Sequence, residues 1–143
     1  SISTGLDTYF PTGNSELGGN VWRVTPHIDV FQDLGNAFSF QGGVLLDIRP
    51  ESNTKPDTAF IGKFGFGRTM TSHDAFLGDL TPHLITTVKV PFDGAPDNNV
   101  FVSLTPGIRT HIAGGYFLLG LEIPVTEPKT FNHQLTFMYI RVF

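Results

Sequence analysis

Residues 20–30 read NVWRVTPHIDV and residues 36–49 read NAFSFQGGVLLDIR. In the first stretch Trp22, Val24, Pro26, Ile28 and Val30 fall on one side of an extended chain, and Arg23, Thr25, His27 and Asp29 on the other. The second sets Phe38, Phe40, Val44, Leu46 and Ile48 against Ser39, Gln41, Asp47 and Arg49. A third, NNVFVSLTPGIRTH at 98–111, alternates Val100, Val102, Leu104, Pro106 and Ile108 with Ser103, Thr105, Arg109 and His111. A period of two marks a strand, because successive side chains point to opposite faces of the pleat. Globular strands average about five or six residues in all. These alternations run longer and match the roughly 9–11 residues that a tilted strand needs to cross a bilayer.

Extended over the chain, the same reading predicts eight strands near 2–10, 20–32, 36–49, 58–68, 79–92, 99–111, 115–125 and 130–143. The connections are of two kinds. PTGNSELGG (11–19), RPESNTKPD (49–57), FDGAPDNN (92–99) and VTEPK (125–129) are polar and contain proline, whereas QDLGN (32–36) and HIAGG (111–115) are tight glycine-containing turns. They alternate, with one irregular connection, TMTSHDAFLG, at 69–78. Short turns at one end and longer loops at the other are the asymmetry of an outer-membrane barrel. The fold class expected is therefore all-β: an antiparallel up-and-down transmembrane β-barrel, about eight strands, forming one domain over 1–143 or the C-terminal part of a larger barrel.

Composition points the same way. Only 15% of the residues are charged, against about 25% in a typical soluble domain. Phenylalanine occurs fourteen times, and sixteen glycines and ten prolines argue against long helices. No apolar run is long enough for a membrane helix. Nine Lys and Arg against thirteen Asp and Glu, a net charge of -4, exclude the basic patch of a nucleic-acid binder. Without cysteine there is neither a disulfide framework nor a thiolate metal site.

The last stretch, FNHQLTFMYIRVF at 131–143, sets Phe131, Leu135, Phe137, Tyr139 and Phe143 outward and Asn132, Gln134 and Thr136 inward, with Arg141 out of pattern. It is expected to close against the first strand. Aromatic residues gather at predicted strand ends: Phe10, Trp22, Phe60, Phe92 and Phe131 at the outer ends, and Phe38, Phe66, Phe117, Tyr139 and Phe143 toward the inner ends, with Phe40 on the same lipid-facing side. Two aromatic belts are expected where a barrel meets lipid headgroups. Pro26, Pro82 and Pro106 recur in Thr-Pro phrases on the apolar face, where they are expected to mark bulges or bends.

Three segments, YFPTGNSELGGNVWRVTPHIDVFQDLG (9–35), VSLTPGIRTHIAGGYFLLGLEIPVT (102–126) and the closing aromatic strand, resemble the outer-membrane transporter family of the phenol-degradation meta pathway, in its C-terminal portion. The closing strand also resembles the C-terminal signature that insertion machinery reads in bacterial outer-membrane barrels. The resemblance implies a Gram-negative outer membrane, a barrel of about twelve strands in the longer relatives and uptake of small hydrophobic molecules, and it brings no catalytic residues. The partners it implies are the bilayer, the insertion machinery and other envelope subunits.

Arg23, His27, Asp29, Gln41, Asp47, Lys63, Lys89, Arg109, Glu122 and Gln134 are predicted to face inward. They form either a selectivity lining or, as an eight-stranded interior favours, a salt-bridged plug. The alternative to a transporter is a non-conducting structural barrel, serving as a membrane anchor or as part of a larger envelope complex. His27-x-Asp29, with His83 and His111, has the residue types of a metal site, yet strand spacing alone does not converge them. Ser72-His73-Asp74 point to alternating sides and cannot form a triad. Gly62, Gly65 and Gly67 lack the following helix that a phosphate loop needs. No enzyme activity, metal or cofactor is expected.

Overall fold

Alternation of apolar and polar side chains, punctuated by glycine turns, yields eight strands: β1 (Ile2–Tyr9), β2 (Arg23–Gly35), β3 (Phe38–Arg49), β4 (Asp57–Arg68), β5 (Thr81–Pro91), β6 (Phe101–Ile112), β7 (Gly115–Pro124) and β8 (Gln134–Arg141). A computed structural model describes residues 1–9, 22–49, 57–72, 76, 78–92, 100–112, 114–127 and 132–141, and these contain no helix. Each strand pairs antiparallel with its chain neighbours in the order β1 to β8, an up-and-down sheet of the expected class. Phe10, Phe131, Phe143, His73 and Asp74 lie outside the described residues.

The short turn between β2 and β3 is built from backbone geometry that glycine permits. Gly35 has φ +78°, and Asn36 and Ala37 follow at +53° and +67°. Positive φ at both central residues is the mirror-image turn whose twist matches paired strands. The Asp33 carboxylate accepts the Gly35 N–H at 2.8 Å, and the register shifts between Asp33 and Gly35. Alanine at Ala37 is strained there, because a Cβ crowds the backbone by about 1–2 kcal/mol. Ala37→Gly is therefore expected to raise stability by about 0.5–1 kcal/mol after glycine's entropic penalty, read as a shifted midpoint in denaturant titration.

The prolines do not act as bulges. Pro82 pairs with Ile108 and Pro106 with Leu84 in unbroken register. Toward β3, pairing resumes from Val24–Ile48 to His27–Leu45 with no slip, and toward β7 from Leu104–Ile123 to Gly107–Gly120. A proline that lacks an N–H can leave a rung unmade while its neighbours hold the register.

The sheet is curled. The Arg109 guanidinium of β6 lies over the Phe31 ring of β2, 5.3 Å from its centroid, although three strands separate β2 from β6. Only a strongly concave inner face brings those walls together. Closure of β8 on β1 is nevertheless not formed among the described residues, and the two edge strands share no ladder. The interior of an eight-stranded ring is just wide enough for side chains. Here Phe31, Arg109 and Tyr116 already meet inside it, and their bulk opposes tighter curling.

The core is inverted relative to a water-soluble domain. Thr25, Asp47, Thr81, Ser103 and Thr110 are buried, while Ala59 is the only buried hydrophobic among the described residues. Ile28, Val44, Phe64, Phe66, Leu84, Ile108, Leu121, Leu135 and Phe137 are exposed on the outer face.

Candidate functional site on the inner face

Directly opposed residues of an antiparallel pair share a face, so the register assigns the inner surface strand by strand. One row joins His27, Leu45, Ile61, Lys89 and Phe101, and the next joins Asp29, Gly43, Lys63, Thr87 and Ser103. Gln41 pairs with Phe31, Asp47 with Ala59, Arg109 with Thr81, Glu122 with Gln134, and Arg23 with Tyr9. All the polar residues predicted to face inward therefore stand on this one face. The expected outer set stands opposite: Phe38 and Phe40 pair with Arg68 and Phe66, Phe60 with Leu46, and Phe117 with Tyr139. Trp22 and Phe92, which flank β2 and β5, are exposed.

Sequence reasoning missed that the inner face is also apolar. Phe31, Leu45, Ile61, Ile85, Phe101, Tyr116, Leu118 and Met138 all share it. The signal was present, because Phe31 follows the outward Val30 and Leu45 lies between the outward Val44 and Leu46.

The polar groups divide between the two ends of the strands. Toward the long loops Arg23, His27 and Glu122 are paired. Arg23 Nε stands 3.2 Å from the Asp47 carboxylate, and His27 lies between Asp7 and Asp29, with Nδ1 and Nε2 each 3.5 Å from a carboxylate oxygen. The Ser103 hydroxyl donates to Glu122 at 2.5 Å. Toward the short turns, Arg109 meets no carboxylate among the described residues and lies between the Phe31 and Tyr116 rings, 5.3 and 5.7 Å from their centroids. His111 packs edge-on against Tyr116 at 5.2 Å. His83 lies over Gly107, where a Cβ would come 2.6 Å from His83 Nε2. The three histidines thus have separate surroundings, and no group of three potential ligands capable of holding a metal occurs among the described residues.

A cavity of about 240 Å³ opens on the inner side, lined by Ser3, Asp29, Phe31, Gln41, Lys63 and Ile85 among others. The described ends of the irregular connection are hydrogen-bonded to the sheet. Thr69 N–H donates to Ala37 O, Met70 N–H to Leu80 O and His111 N–H to Gly78 O, while the Thr110 hydroxyl also donates to Gly78 O. This stitching fixes the short-turn end beside Arg109. Gly62, Gly65 and Gly67 are ordinary strand residues of β4.

The fold and inner face define a class: a curled, antiparallel, up-and-down β-sheet with an apolar exterior and a mixed polar and aromatic interior. No protein-family model, curated protein or solved structure matches the chain.

Proposed function

We propose that this chain is a β-barrel of the Gram-negative outer membrane that passes small hydrophobic molecules. One observation carries the reading: a continuous set of large apolar side chains is exposed on the outer face, while the buried residues are mostly polar. In water that arrangement forfeits the hydrophobic driving force, whereas in lipid it satisfies it. β2 to β7 span ten to thirteen residues each, enough to cross a bilayer. At the short-turn end Arg68 lies over the Phe38 ring, 5.3 Å from its centroid, an interfacial pairing in which the cation reaches headgroups while its stem stays in the apolar layer. The resemblance of 9–35 and 102–126 to outer-membrane transporters supports the same solute class. On this reading the insertion machinery recognises the aromatic last strand.

The test has two parts. Spin labels at Val44 and Gln41 are expected to separate in vesicles, with Val44 relaxed by oxygen and Gln41 by a polar quencher. Equal accessibility would sink the membrane placement. Discrete conductance steps in a planar bilayer are expected of a channel.

A second reading, a non-conducting barrel that anchors or completes a larger envelope complex, is favoured by the edges of β1 and β8, which are not paired with each other among the described residues. Lipid cannot satisfy those backbone groups, so a partner strand has to. A bilayer that stays silent with correctly placed spin labels would select this reading.

A further inference from the structure

Arg109 is the cation of the inner face whose surroundings ask for a ligand. It is partly buried, and its Nε is sealed from solvent with no acceptor in reach. Among the described residues it has no hydrogen-bonding or ion-pairing partner; its contacts are the faces of Phe31 and Tyr116. A guanidinium carries five N–H donors and cannot shed its charge. Aromatic faces attract the cation but accept none of its in-plane hydrogen bonds in the way an oxyanion does. The planar fork of a guanidinium matches a carboxylate with two parallel bonds.

Among the described residues no carboxylate forms an ion pair with Arg109. The carboxylates Asp7, Asp29 and Asp47 are engaged by His27 and Arg23 toward the opposite end, and Glu122 accepts from Ser103. His83, the nearest titratable neighbour across the ladder, offers no negative charge, and its own Nε2 is buried without a partner. Phe31 is shared between Arg109 and the 240 Å³ cavity, so a group held at the guanidinium has apolar wall and open space beside it.

We propose that Arg109, with Phe31 and Tyr116, is a binding step on the inner face for a small organic carboxylate, the carboxylate on the guanidinium edge and the apolar body against the rings. The proposal rests on the inner face being the open lumen of the barrel and narrows the solute from hydrophobic molecules in general to amphipathic acids. The ion-paired end and the unpaired arginine then form two successive environments along one path.

The experiment uses the full chain refolded in detergent micelles, with each variant's fold checked by heat-modifiable gel mobility. Benzoate is titrated with calorimetric readout, with benzyl alcohol as the neutral counterpart of similar shape. Wild type is expected to bind benzoate saturably and benzyl alcohol much more weakly. Arg109→Gln should lose affinity by roughly ten- to a hundredfold, the range of a charged hydrogen-bonding pair. A folded wild type without saturable benzoate binding overturns the site, as does equal affinity in a folded Arg109→Gln. If that variant does not fold, the side-chain Nε resonance of Arg109 in labelled wild type decides: it should shift with benzoate and not with benzyl alcohol, and its constancy overturns the proposal. Binding in micelles does not depend on permeation. Benzoate binding with a silent bilayer would therefore keep the site and remove the channel, whereas conductance without binding would do the reverse.

Discussion

Val44→Arg is expected to destabilise the folded chain by about 2–4 kcal/mol in lipid vesicles, the cost of a cation near the midplane on the lipid face of a barrel. Val44 lies near the middle of β3, pairs with Ile28 and Gly62 on the outer face, and is 44% exposed. The same exposure in water would make the substitution almost neutral, within about 0.5 kcal/mol, because the long side chain would reach solvent. The two solvents thus predict effects that differ several-fold at one residue. A reversible denaturant titration in vesicles reads the difference, and a near-zero effect there would place this face in water.

The second large effect is expected inside. Gly107→Ala should cost about 1–3 kcal/mol, as overpacking does in a filled interior. A Cβ at Gly107 would lie 2.6 Å from both His83 Nε2 and the Leu119 carbonyl oxygen. The imidazole can swing aside, but the carbonyl belongs to the neighbouring strand and moves only with the ladder. Gly62→Ala is the internal control, since its nearest neighbour there would be Phe60 Cε1 at 3.8 Å. That variant should unfold with a midpoint close to wild type. Gly→Ala by itself stabilises through the unfolded chain, so equal losses at the two glycines would mean that the crowded inner face does not set the cost.

These effects sit on features that were unequally legible. Strand number and the face of each predicted inner residue from Arg23 to Gln134 follow from the period of two, because the pleat itself alternates side chains wherever the chain is extended. The strand ends do not, since β2 runs on to Gly35 through residues expected in a turn. A tight turn was readable from the glycine and asparagine of 32–36, but it falls later, at Asn36 and Ala37. The inner position of Phe31 and Leu45 follows from parity alone, since each lies next to outward residues of its strand. The fold-back of Thr69–Met70 and Gly78 onto Ala37, Leu80 and His111 had no sequence signal beyond an irregular length. Its bonds join segments tens of residues apart.

What the sequence by itself determined about this chain is therefore local: eight antiparallel strands, their order, and which side chains share a face. These depend on backbone pleating and short turns, which neighbouring residues control. Only the tertiary structure decided that Arg109 reaches Phe31 across the interior, and that among the described residues Arg23, His27 and Glu122 find partners while Arg109 does not and β8 forms no ladder with β1. Those outcomes depend on how far the sheet curls. Curl is a collective property of twist accumulated over every strand pair and of the summed bulk on the concave side, and no single stretch of residues carries it.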